Sequence, residues 1–168
     1  MSEPNGTTPP GDEVSLRVAA PADRIYDLVT DIAGMGRLSP ECTGGRWLDG
    51  ATGPAVGARF KGTNKRGLAR WSTVNTVVAA EPAERFAFNT NQSGTCWTYT
   101  MVPDPGPDGS VGTIVTESRH AWRERPLLAR IYSRIALGGV EEHDREMRDG
   151  MRRTLDRLRD IAERSEVS

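Results

Sequence analysis

The chain has 168 residues, 36% of them hydrophobic and 27% charged, with a formal net charge of −1. That is enough chain for one domain with a real core, and the charge balance gives no reason to expect bulk attraction to nucleic acid or to an anionic membrane. No run of about 18 apolar residues is present, so no segment reads as a membrane-spanning helix, and stable membrane insertion is not expected.

Residues 1–12, ending in Pro9-Pro10-Gly11-Asp12, are polar and read as a disordered tail. The opening stretch has neither the basic nor the apolar region of a secretory signal, and the expected location is cytoplasmic. From Glu13 to Val18 the pattern alternates, with Val14, Leu16 and Val18 on one side: a strand with one buried face. Pro21 then opens a short amphipathic helix carrying Ile25, Leu28 and Val29, and residues 31–38, with Gly34 and Gly36, read as a second short helical turn.

The period then changes from helical to strand-like. Segments 42–48, 57–65, 70–78, 84–91, 95–103 and 111–120 read as strands, separated by Asp49-Gly50, Arg66-Gly67, Glu81-Pro82, Ser93-Gly94 and the 104–109 loop. Such short spacings predict antiparallel neighbours, six in a meander plus the first strand. The last third is helical: Leu127, Leu128, Ile131 and Ile135 in a first piece at about 127–137, then Val140, Met147, Met151, Leu155, Leu158 and Ile161 in a main helix at about 140–164, with Gly138-Gly139 between them.

This order is an α+β arrangement. A seven-stranded antiparallel sheet twists and curls around the C-terminal helix, which fills only part of the concave face. The remainder is either packed core or a pocket. Phe86 and Phe88 alternate in one strand, Trp97, Tyr99 and Met101 in the next, Thr113, Val115 and Glu117 in the one after, as a mostly apolar pocket requires; an ordinary core uses the same residues.

The residues carry a resemblance. VSLRVAAPADRIYDLVTDIAGMGRLSPEC, WLDGATGPAVGARFKGTNKRGLARWST, EPAERFAF, the pair Trp97 and Tyr99, GTIVTES and GMRRTLDRLRDIAE are similar to the START-like helix-grip (SRPBCC) superfamily, in its polyketide cyclase/dehydrase-like branch. The match covers about residues 13–164, expected as one ligand-binding domain. It implies a helix-grip fold with a hydrophobic cavity between sheet and helix, and ligands such as polyketides, lipids or aromatic metabolites. Some relatives are cyclases or dehydratases, and many are carriers or sensors, so the resemblance assigns no reaction.

Ligand-facing positions are expected at Trp71, Asn75, Phe86, Phe88, Trp97 and Tyr99, at Met101, Val115 and Glu117, and on the helix at Met147 and Met151. Glu117 is the candidate catalytic residue: inward, it places a carboxyl in apolar surroundings, where burial raises its pKa and suits it to acid or base work. The alternative is an outward Glu, or one paired with Arg59 or Arg119. Ser39-Pro40-Glu41 lies at the expected cavity mouth, as a ligand contact or a plain turn. Cys42 and Cys96 form no CxxC and have no histidine near them in sequence; His120 and His143 belong to no metal-ligand motif. No Ser-His-Asp set, P-loop or dinucleotide fingerprint occurs, and no cofactor or metal is expected. The expected partner is a small hydrophobic ligand, not nucleic acid, bound by a monomer or homodimer.

Overall fold

The alternating apolar positions of the central hundred residues become seven strands, and the heptad-like spacing of the last segment becomes one long helix. A computed structural model describes residues 11–123 and 140–164. In chain order it contains β1 (Asp12–Val18), α1 (Ala22–Thr30), a 3₁₀ turn (Met35–Arg37), β2 (Cys42–Trp47), β3 (Arg59–Arg66), β4 (Ala69–Glu81), β5 (Arg85–Thr90), β6 (Thr95–Pro103), β7 (Thr113–Ala121) and α2 (Val140–Arg164). The helix expected at 127–137, the tail through residue 10 and the side chain of His143 lie outside the described residues.

The strands form one curved antiparallel sheet in the order β1-β7-β6-β5-β4-β3-β2. The meander is as the sequence predicts; β1 closes it by pairing with β7, Val14 opposite Glu117 and Leu16 opposite Val115. A bulge between Val77 and Ala79 in β4 resets the alternation there and adds curvature.

α2 lies on the concave face. Met151, Leu155, Leu158 and Ala162 are buried along it at helical spacing, and Glu163 Oε1 accepts a hydrogen bond from the Ala19 amide at 2.9 Å, tying its end to the β1–α1 junction. The sequence reading made α2 the only cover for this face, but the structure adds α1. Ile25, Tyr26 and Val29 are buried, and Tyr26 meets Phe86 edge-on with ring centroids 6.5 Å apart. An i,i+3/i+4 stripe shows that a short helix is amphipathic but not which strands it covers. Among the described residues no helix is long and apolar enough to cross a membrane.

Candidate functional site

Strand pairing stacks the inward residues into rows. Glu117 of β7 stands opposite Tyr99 of β6, which stands opposite Phe86 of β5. The next row runs from Arg119 through Trp97 and Phe88 to Val77. A third joins Phe60, Asn75, Thr90 and Thr95. Aromatic packing holds the centre: Phe88 meets Phe60 at 5.1 Å and Phe86 at 5.6 Å, and Phe60 meets Trp47 at 5.5 Å.

Within this apolar wall Glu117 is 3% exposed. Tyr99 OH donates to its Oε1 at 2.9 Å. Among the described residues its buried Oε2 has no hydrogen-bond partner. Of the alternatives open in the sequence, an outward Glu117 and one paired with Arg59 are both excluded: Arg59 bonds Asp49, and Arg119 bonds Asp12. Desolvation lifts the Glu117 carboxyl from 4.5 to about 8, against a smaller lowering by the Tyr99 hydrogen bond. The Tyr99 phenol is pushed well above its ordinary value, first by burial and then by the charge of Glu117. Near neutral pH the pair is therefore a protonated acid beside a protonated phenol. Tyr99 satisfies one oxygen, and the acid proton on Oε2 has nothing to donate to.

A second polar group crosses the same face. Thr90 Oγ1 donates to Asn75 Oδ1 at 2.8 Å, and Asn75 Nδ2 donates to Thr73 Oγ1 at 3.3 Å. Asn75 is inward and buried, with its carbonyl already engaged. Gly62 lies opposite Thr73, and a Cβ there would come within 3.1 Å of Thr73 Oγ1, so the glycine leaves room for this hydroxyl–amide chain.

The expected ligand-facing residues divide by depth. Phe86, Met101, Val115 and Met151 are deeply buried, Phe86 against α1. Phe88, Tyr99, Asn75 and Glu117 form the buried floor. Trp97 and Met147 are half-buried. Trp71 shares the Asn75 face of β4 but is 41% exposed, towards the β3–β4 turn. At the rim, Glu41 Oε1 lies 3.9 Å from Arg66 Nε, and Arg66 Nη2 donates to Glu146 Oε2 of α2 at 2.7 Å. The sequence reading missed Phe60, Thr73, Thr90 and the Arg66–Glu146 tie; the alternation of Phe60, Gly62 and Asn64 could have shown the first. Elsewhere, an open groove of about 460 Å³ between the end of α1 and β2, lined by Thr30, Ile32 and Trp47 among others, contains none of the expected residues.

Burial raises both thiols, Cys42 and Cys96, above their ordinary value. The register puts His120 opposite Cys96, a neighbour that sequence distance hid; Cys96 Sγ itself has its contacts with Trp97 O and Thr98 Oγ1. Among the described residues no group of His, Cys, Asp and Glu is arranged to hold a metal ion.

No curated protein matches the sequence. Solved structures do. The polyketide cyclase-like protein Cgl2372 from Corynebacterium glutamicum is 30% identical, with a TM-score of 0.61 over 95% of this chain and 96% of its own. A START superfamily protein from Mycobacterium smegmatis is 14% identical, with a TM-score of 0.68 over 92% and 97%. The di-domain ARO/CYC StfQ of the steffimycin biosynthetic pathway is 11% identical, with a TM-score of 0.68 over 94% of this chain and 52% of its own; these last two are likenesses of fold. The family model described as "Polyketide cyclase / dehydrase and lipid transport" matches residues 13–163, and the chain belongs to that family.

Proposed function

We propose that the protein binds a small, largely apolar molecule against the concave face of the sheet, beside α2, and holds it by a hydrogen bond from Glu117. The observation that carries this reading is the unpartnered Glu117 Oε2 within an apolar wall. A buried polar atom without a partner costs about 1–3 kcal/mol, and a ligand oxygen accepting from the neutral acid recovers it. Phe88, Trp97 and Tyr99 supply aromatic surface, and the half-buried Trp97 and Met147 mark the side from which a ligand enters. Native mass spectrometry of the purified protein, followed by extraction, tests the reading. A retained apolar compound, or stabilisation by members of an apolar metabolite panel, supports it. An empty protein that no member of the panel stabilises sinks it.

A second reading, a cyclase- or dehydratase-type enzyme, is favoured by one feature. An acid whose pKa lies near 8 can give up and regain a proton at working pH. Glu117→Gln separates the two. The amide keeps an acceptor for Tyr99 and a donor for the ligand, so a binder retains affinity within a few-fold. An enzyme that moves a proton through Glu117 loses about 10²-fold or more in rate with binding intact.

A further inference from the structure

We propose that the β3–β4 hairpin is a docking surface for an anionic lipid bilayer, with Leu68 entering the interface. This goes beyond the ligand reading and does not depend on it. Arg66 and Ala69 are the last paired residues, so Gly67-Leu68 is a two-residue turn. Only Gly67 of the two has positive φ, +58°, the pattern of a type II′ turn. Leu68 is then carried at the tip, where it is fully exposed and touches no core. Trp71, 41% exposed, stands one turn of the hairpin behind it, with an indole suited to the headgroup level.

The convex face behind the tip is basic. Lys65 lies directly opposite Arg70, and Arg46 directly opposite Lys61. Like charges placed directly opposite destabilise a sheet, and here two such pairs occur on one face, separated along β3 by Thr63. The outward positions of β2, β3 and β4 along this stretch, Gly44, Thr63, Ser72 and Val74 among them, include no carboxylate. Among the described residues none of Arg46, Lys61, Lys65 and Arg70 forms an ion pair; the nearby acids Glu41 and Glu146 are engaged by Arg66. An anionic surface relieves the repulsion that the fold leaves in place.

The order of the groups selects the partner. An apolar tip ahead of a cationic girdle matches the depth order of a bilayer interface, where the side chain meets acyl chains and the cations meet headgroups. On nucleic acid the same tip would press Leu68 against charged phosphates. The chain's net charge of −1 hides the strip because acids elsewhere balance it.

The test is co-sedimentation of the full chain with phosphatidylcholine vesicles, with and without phosphatidylserine. We expect binding to the phosphatidylserine vesicles alone, falling as salt rises. Leu68→Asp and the double variant Lys65→Gln/Arg70→Gln should each lower it about tenfold or more, whereas Val111→Asp, at an exposed valine in another loop, leaves it unchanged. Unaltered melting temperatures establish that the variants fold. No sedimentation with either vesicle overturns the proposal, as does vesicle binding indifferent to Leu68→Asp. Binding to duplex DNA that depends on the cations but not on Leu68, without vesicle binding, also overturns it in favour of a general polyanion surface.

Discussion

Glu117 couples stability to pH in one direction. Its carboxyl sits at 4.5 in an ordinary setting and at about 8 in the folded chain, so between those values the folded state holds a proton that the unfolded state releases. The resulting stabilisation is complete below the lower value and is lost as pH rises through the upper one. The full loss is on the order of 5 kcal/mol. Urea denaturation at about pH 5 and about pH 9 should show the wild type losing stability relative to Glu117→Gln, whose side chain does not titrate. A gap that stays constant with pH would mean that Glu117 ionises normally. Tyr99→Phe removes the group that lowers the Glu117 pKa, leaving Oε1 as well as Oε2 without a partner. It is expected to cost about 1–3 kcal/mol and to move the pH-dependent loss higher. That Glu117 shares a face with Thr113 and Val115 was legible in the sequence, because the three alternate in β7; that this face points inward was not, and the burial of Glu117 decides it. Its partner was not: pairing with Tyr99 needs the β6–β7 register, and alternation within a strand says nothing about which residue lies across. The amide of Asn75 was equally hidden, since its neighbours Thr90 and Thr73 come from register and from the room left at Gly62.

The elements themselves were largely written in the spacing. α2 follows from Met151, Leu155, Leu158 and Ala162 at steps of four and three, and its described span, Val140–Arg164, matches the expected one. β4 runs on to Glu81, past the expected end at residue 78, because the bulge at Val77 and Ala79 breaks the alternation that a sequence pattern relies on. The docking of α1 on β5 and β6 escaped prediction because a nine-residue helix has many possible partners and only the fold selects Phe86 for Tyr26. Two substitutions in α2 test its packing. Gly150 lies in the helix interior, and a Cβ there would meet nothing within 4 Å. Gly150→Ala should therefore add about 0.5–1 kcal/mol of stability by removing backbone entropy from the unfolded chain. Leu158 is completely buried, and Leu158→Ala should cost about 2–5 kcal/mol by thermal or urea denaturation. A cost below 1 kcal/mol would mean that the helix is not clamped to the sheet as described.

Taken whole, the molecule has a well-covered side and a lightly covered wing. α2 packs on β1 and α1 and touches β7, and α1 covers β5 and β6; among the described residues β2 is paired with β3 and packs chiefly against the 3₁₀ turn. The far end of β3 and β4 reaches α2 through Arg66 and Glu146, both about half-exposed. An ion pair of that exposure contributes little, under about 1 kcal/mol. Stability should therefore be graded across the sheet, with local opening concentrated where few apolar contacts hold the backbone. Native-state hydrogen exchange is expected to show β6 and β7 protected to near the global limit and the amides around the β3–β4 turn exchanging first. Glu146→Gln should hasten exchange at that turn while changing global stability by less than about 1 kcal/mol. The wing is also where Trp71 stands open and where the basic strip lies. Its opening would widen access to the floor around Glu117, so an apolar ligand bound there should slow exchange in the wing more than in β6 and β7. Uniform protection from β2 to β7, unaffected by Glu146→Gln, would instead make the sheet a single cooperative unit.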